Sequence, residues 1–245
     1  MIHDFEFNGH KLSDLGAVIS ENPHYTLSVR ELDFTSIPFK SGDVITDKSR
    51  FKNLSVTYKV TSVPTFADIT AEGFVKALSE VFLTSYEYGI LRDTYNIGYF
   101  RKGVVTDITE PTVLMSGVVT AKITFNCVPF LYSDTGTNTV SLTSVNNAVS
   151  ATLTNPEQWD SEPVIKINGN GDFTVMVGDV TLALTGVNNY IVIDKEQEDV
   201  YGSGGSCNEK LSALSLPYLK AGENIISIVG NSSFTVEITP NWRRL

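Results

Sequence analysis

Few side chains in this 245-residue chain stand at spacings that support chemistry. The histidines are His3, His10 and His24, all near the N-terminus. None lies at metal-ligand spacing from another or from a cysteine, so no structural zinc site is expected. Cys127 alternates with Ala121, Ile123 and Phe125, which implies a buried strand position. Cys207 follows Gly202-Ser203-Gly204-Gly205-Ser206, which reads as a flexible loop, and both cysteines are expected as free thiols. There is no Gly-x-Ser-x-Gly elbow, and no histidine accompanies Cys207, so nothing points to a nucleophilic triad. The glycine-rich run lacks the Gly-Lys-Ser/Thr ending that cradles phosphate. The acidic run Asp194-Lys195-Glu196-Gln197-Glu198-Asp199 lacks the ligand spacing and glycine of a calcium loop, and reads as a solvated turn. No catalytic residue, cofactor or metal is expected.

A sugar site is the stronger competitor, because β-sandwiches carrying Trp and Asn often bind glycans. The tryptophans are Trp159 and Trp242. Galectin sugar sites combine a stacking tryptophan with a histidine, an asparagine and arginines. No histidine follows His24, so that constellation is missing from the C-terminal half, and Trp242 reads as a core plug.

Composition sets the frame for these absences. The chain is 42% hydrophobic, 19% charged and 10% aromatic, as expected of a folded globular protein with one large core or two modest ones. No apolar run approaches the roughly 20 residues of a membrane span, so no membrane insertion is expected. Met1-Ile2-His3-Asp4-Phe5 has neither the basic nor the apolar region of a secretory leader. The net charge of −10, without a basic block, argues against tight nucleic-acid binding.

The elements follow from periodicity. Phe5 and Phe7 alternate before a turn at Asn8-Gly9. Thr35 to Asp47, with Pro38 and Gly42-Asp43, predicts a long loop. Leu54, Val56, Tyr58 and Val60 predict a half-buried strand that Pro64 ends. Asp68 or Thr70 offers an N-cap for a helix over about 68–83. Its apolar face is Ala71, Phe74, Val75, Leu78, Val81 and Phe82. An aromatic stretch over 86–100 leads to a strand from Val118 to Phe130, terminated by Pro129. Residues 136–150 read as a linker or edge segment between a domain over 1–135 and a second over 151–245. The second carries short alternating strands, among them Ile165-Ile167, Phe173-Val175-Val177 and Phe234-Val236-Ile238, with a hairpin at Asn168-Gly169-Asn170-Gly171. The fold class is mainly β with one helix: an N-terminal β-sandwich-like domain carrying that helix, then a C-terminal β-sandwich.

Several stretches resemble the distal tail proteins of siphophages. They are Phe5-Glu6-Phe7-Asn8-Gly9 with Leu15-Gly16, Ile37-Pro38-Phe39-Lys40-Ser41-Gly42-Asp43, Tyr99-Phe100-Arg101-Lys102-Gly103, and Phe125-Asn126-Cys127-Val128-Pro129-Phe130-Leu131-Tyr132. The C-terminal series from Ser161-Glu162-Pro163 to Pro240-Asn241-Trp242 is similar to the family's galectin-like domain. Phe39 stands where that family has a glycine. The resemblance implies a structural virion protein, not an enzyme. It implies a homohexameric ring at the distal end of a long non-contractile tail, made by the N-terminal domains with the galectin-like domains projecting outward. Implied partners are the tail tube protein and a tail-associated hub, lysin or fibre protein, with receptor-binding proteins at the periphery. Ile37, Phe39, Tyr95, Tyr99 and Phe100 are candidate interface residues. The alternative from another class is a monomeric β-sandwich adhesion or carbohydrate-binding module.

Overall fold

Alternation of apolar and polar side chains along Leu54–Ser62 puts every second residue on one buried face. In the computed structural model this strand is central to the first of two compact units, Met1–Leu131 with Leu245; the second is Tyr132–Arg244. The structure describes residues 2–63, 70–109, 111–114, 118–213 and 215–245. Pro64 and Asp68, taken above as strand terminator and possible N-cap, lie outside them.

The first unit contains β1 (Phe5–Phe7), β2 (His10–Lys11), β3 (Ala17–Ile19), β4 (His24–Tyr25), β5 (Arg30–Thr35), β6 (Val44–Phe51) and β7 (Leu54–Ser62). Helix α1 (Ala71–Phe82) follows, then β8 (Gly89–Asp93), β9 (Tyr99–Ile108), β10 (Thr112–Val113) and β11 (Val119–Ser133), whose last two residues belong to the second unit. One antiparallel sheet runs β2-β1-β8-β9-β11-β7-β3, with β10 pairing β11 and β4 pairing β7. Asn8 and Gly9 both take positive φ in the two-residue turn between β1 and β2, as a tight hairpin requires. Thr70 caps α1, its hydroxyl accepting from the Gly73 N–H. Phe74, Leu78 and Phe82 lie one turn apart and bury against the sheet, where Phe82 meets Phe5 at 5.3 Å. Phe5 also meets Tyr58 at 4.9 Å and Phe125 at 5.5 Å, so the centre of this core is aromatic.

Two expectations are corrected here. Pro129 does not end its strand. Pairing of β11 with β7 has already finished at Cys127–Leu54, so the missing proline N–H costs no hydrogen bond on that side. Thr35 to Asp47 is not one long loop: β6 begins at Val44, and β5 and β6 form a hairpin in a two-stranded sheet of their own.

The second unit contains β12 (Val140–Thr143), β13 (Ala148–Asn155), β14 (Val164–Asn168), β15 (Gly171–Val177), β16 (Val180–Val187) and β17 (Tyr190–Asp194). It continues with β18 (Asp199–Gly202), β19 (Gly205–Ser206), β20 (Leu211–Ser212), β21 (Gly222–Gly230) and β22 (Thr235–Thr239). Two antiparallel sheets, β12-β22-β14-β17-β18-β19 and β13-β21-β15-β16-β20, enclose a mostly aliphatic core and make a galectin-like sandwich. Asn168 to Gly171 does not join a hairpin. Asn168 stays paired with Tyr190 and Thr235, while Gly171 pairs with Val187, so the turn carries the chain from one sheet to the other.

Of the two readings of 136–150, linker or edge segment, the edge segment is the one present. β12 and β13 are edge strands of the two sheets, and Val149 is in the core. Ahead of them, the Asn241 N–H donates to the Gly136 carbonyl at 2.8 Å and the Ser133 N–H to the Trp242 carbonyl at 2.8 Å. The division between units therefore falls at Leu131–Tyr132.

Candidate assembly surface

The β5–β6 hairpin differs from every other strand pair described in this chain: neither strand has a fully buried residue. Four cross-strand ion pairs line it: Arg30 with Asp47 at 2.8 Å, Lys48 with Asp33 at 2.9 Å and with Glu31 at 4.0 Å, and Arg50 with Glu31 at 2.6 Å. Exposed pairs of this kind contribute little each. Phe34 and Ile45 sit directly opposite one another, both largely exposed. The hairpin is tied at its base, where the Lys52 N–H donates to the Val29 carbonyl at 2.9 Å and the Ser28 hydroxyl donates to the Lys52 carbonyl at 2.7 Å.

The tip is the least economical place in the fold. Phe39 is fully exposed, at 111% of its reference area, and holds φ +64°. A bulky side chain in the left-handed region is disfavoured by about 1–2 kcal/mol. Exposure returns nothing for that cost within the chain. Ile37 is also exposed, and Asp43 makes no hydrogen bond or ion pair.

Sequence reasoning grouped Ile37 and Phe39 with Tyr95, Tyr99 and Phe100. The structure brings only Ile37 and Phe39 together, at this tip. Tyr95 is half-buried and stacks on His3 at 4.3 Å, and its N–H donates to Asp93 at 3.0 Å. Tyr99 begins β9 half-buried, its N–H donating to the Asn96 carbonyl at 3.0 Å. Phe100 is buried, with the Arg92 guanidinium 5.0 Å from its ring centre, so in this chain it faces inward rather than outward.

At the foot of the hairpin lies a cavity of about 760 Å³ within the first unit. The residues leading into β5 form its rim, and Arg101 projects from β9 into it. Behind it, Asp93 organises the wall. One carboxylate oxygen accepts from the Tyr58 hydroxyl at 2.6 Å and the Tyr25 hydroxyl at 3.4 Å. The other accepts from the N–H groups of Tyr95 and Asn96. Burial, reinforced by the Asp93 charge, holds the Tyr58 phenol well above its ordinary range. No sequence signal marks Asp93, and Arg101 falls within the Tyr99–Gly103 stretch quoted above without anything there marking it for this cavity.

The residues weighed earlier for chemistry are dispersed. His3 bonds the Thr94 hydroxyl, while His10 and His24 are exposed on separate strands. Among the described residues no group of three His, Cys, Asp or Glu side chains could hold a metal ion. Cys207 is buried in the sandwich core rather than held in a loop, because Gly202 and Gly205 close a tight β18–β19 turn that brings the chain back inside. The acidic run is a turn between β17 and β18 with Glu196, Gln197 and Glu198 exposed; only its first residues, Asp194 and Lys195, are buried, the Asp194 carboxylate accepting from the Gln197 N–H at 3.0 Å. Trp242 is sealed in the core, and no helix among the described residues is long and apolar enough to cross a membrane.

Mainly-β chains with one helix packed on an antiparallel sheet, followed by a galectin-like sandwich, define a recognisable class of two-unit fold. Family models and curated proteins yield no match to this sequence. Among solved structures, that of SPP1 Dit (gp 19.1) aligns over 100% of both chains with a TM-score of 0.68 at 15% sequence identity. It is described as a paradigm of hub adsorption apparatus in phages that infect Gram-positive hosts. This chain therefore has a Dit-like fold along its whole length.

Proposed function

We propose that this chain is a structural subunit of a phage tail tip, forming a six-membered ring at the distal end of a long non-contractile tail. The ring joins the tail tube to the hub or fibre proteins that meet the host. The first unit makes the ring, and the sandwich is carried at its periphery, where receptor-binding proteins attach. The observation that carries this reading is the full-length likeness to SPP1 Dit, which includes both units and not the sandwich alone. The β5–β6 hairpin supports it, because a two-stranded ribbon with apolar residues on open faces is marginal by itself and gains from pairing with a neighbour. A closed ring repeats one heterologous contact, so one projecting element per copy is sufficient.

Native mass spectrometry and negative-stain imaging of the purified full chain test the reading. Rings of six copies are expected at micromolar concentration. A strict monomer at every concentration, also in the presence of tail tube protein, would count against it. The glycan-module alternative finds no support at Trp242, whose ring is in the core.

A further inference from the structure

A sheet edge leaves backbone N–H and C=O groups unpaired, and folded proteins usually blunt it. Most sheet ends among the described residues follow that rule. β2, β19 and β20 have two residues each, β3 has three and β12 four. The β5–β6 ribbon has longer edges but carries charge along them, from Arg30, Glu31 and Asp33 to Asp47, Lys48 and Arg50. β13 does neither. It is eight residues long, holds no charged residue and no proline, and pairs along its whole length with β21 alone.

The register shows which backbone groups are open. The Gly230 N–H donates to the Asn147 carbonyl at 2.9 Å, so Val149, Ala151 and Leu153 turn their N–H and C=O groups toward β21. Those of Ala148, Ser150, Thr152 and Thr154 point the other way. Ala148 exchanges both of its bonds with Val145, at 2.9 and 3.1 Å. Ser150, Thr152 and Thr154 therefore present their donors and acceptors along about 14 Å of open edge. On the core side of the sheet Val149 is buried but Leu153 only partly so, which leaves apolar surface for an incoming strand to cover.

Charge decides what kind of strand fits. The second unit has six Lys or Arg against thirteen Asp or Glu, a net charge of −7. Two copies joined edge to edge at β13 would bring two such charges together. A strand bearing Lys or Arg gains from the same field. Exposed Glu223, opposite Thr154 on β21, stands at one end of the open stretch.

We propose that β13 is a docking edge at which a strand of another protein, alternately apolar and flanked by Lys or Arg, is added to the five-stranded sheet. Its backbone bonds Ser150, Thr152 and Thr154, and an apolar side chain covers Leu153. Val145 closes the edge at Ala148 and so fixes where the added strand must stop. The inference goes beyond ring assembly, because the edge is complete within a single copy.

Two probe peptides test it against the full chain. One is Lys-Lys-Val-Thr-Val-Thr-Val-Lys-Lys, and the other has glutamate for each lysine. At low ionic strength the basic peptide should bind about tenfold more tightly or better. Residue-resolved amide hydrogen exchange locates it. In the free chain the N–H groups of Ser150, Thr152 and Thr154 should exchange fast, and those of Val149, Ala151 and Leu153 slowly. Saturating basic peptide should slow the first three about tenfold. Thr152→Pro removes one outward donor and no bond to β21, and should weaken peptide binding about tenfold. Thr152→Lys, a change at an exposed side chain that repels the same peptide, should weaken it as well. Equal binding of the two peptides, or protection on other strands, overturns the proposal. Protection of the three N–H groups that grows with chain concentration, without peptide, would give the edge to a second copy and overturn it too. Thr152→Lys should still form the rings of the parent; their loss would place β13 in the ring contact and overturn the docking edge, whereas a parent chain that never forms rings overturns only the ring.

Discussion

The β5–β6 hairpin and the β7–β11 pair are both long antiparallel ribbons in the same unit, yet they are held by opposite means. β7 and β11 pair in unbroken register from Thr61–Thr120 to Leu54–Cys127, and their alternate residues, including Tyr58 and Phe125, are fully buried. Their stability comes from apolar area removed from water, about 25 cal/mol per Å². The hairpin buries no residue fully, contains a register shift between Arg30 and Leu32, and relies on exposed ion pairs. Marginal segments are where a protein places its moving or partner-binding parts. The comparison thus separates residues that keep the unit folded from residues whose cost is not offset within the chain.

Four perturbations break or sharpen that contrast. The largest effect belongs to the β7–β11 core. Phe125→Ala removes a ring that touches Phe5, Phe7 and Tyr58 and should destabilise the first unit by about 3–5 kcal/mol in urea unfolding. Phe34→Ser in the hairpin should stay within about 0.5 kcal/mol of the parent. A comparable loss from Phe34→Ser would erase the distinction.

Gly103→Ala comes next. A Cβ there would stand 2.8 Å from the Cys127 sulfur, which the packed core cannot move aside freely. A loss of about 1–3 kcal/mol is expected, without any change in strand content by circular dichroism.

The third perturbation is alkaline pH. Burial pushes the Cys127 thiol from its ordinary 9.0 up to about 12. Below pH 9 the thiol is neutral in both folded and unfolded chains and stability does not depend on it. Between 9 and 12 only the unfolded chain loses the proton, so stability falls as pH rises, by about 1.4 kcal/mol per unit for this group. Buried Tyr58 is shifted in the same direction, as is the more exposed Tyr25. Unfolding titrations at pH 8 and pH 10 should show the decline, and Cys127→Ser should make it shallower. A flat profile would show that the thiol reaches water.

The smallest effect on folding is the most informative about the hairpin. Phe39→Asn replaces a bulky residue at φ +64° with one that tolerates that conformation, so the isolated chain should be unchanged or more stable by up to about 1 kcal/mol. Its association should nevertheless weaken, as read by sedentation-equilibrium or light-scattering mass against concentration. Loss of folding stability would place Phe39 in an intramolecular contact.

Period-2 alternation made β7, β11 and most sandwich strands readable, because each has one buried face and one open face. The helix was readable from its 3.6-residue stripe, and Thr70 as its cap from its hydroxyl. The same rule explains the failures. β5 and β6 expose both faces, so no alternation marks them, and Pro38 with Gly42 made the whole stretch read as a loop. Residues 136–150 are Ser-, Thr- and Asn-rich because edge strands meet water, a composition that a linker shares, so only strand pairing decides between the two readings.

The sequence by itself determined that the chain is mainly β with a single capped helix, and that its motifs place no chemistry at recognisable spacing, since these depend on local periodicity and on residue types along the chain. Tertiary structure alone decided that Asn168–Gly171 switches sheets, that Cys207 and Asp194 are inside, that Phe39 is held outward, and that the Arg101 Nε is buried without a hydrogen-bond partner. Each of these depends on which residues distant in sequence come together, and a turn signal or a charge carries no record of the partner it will meet.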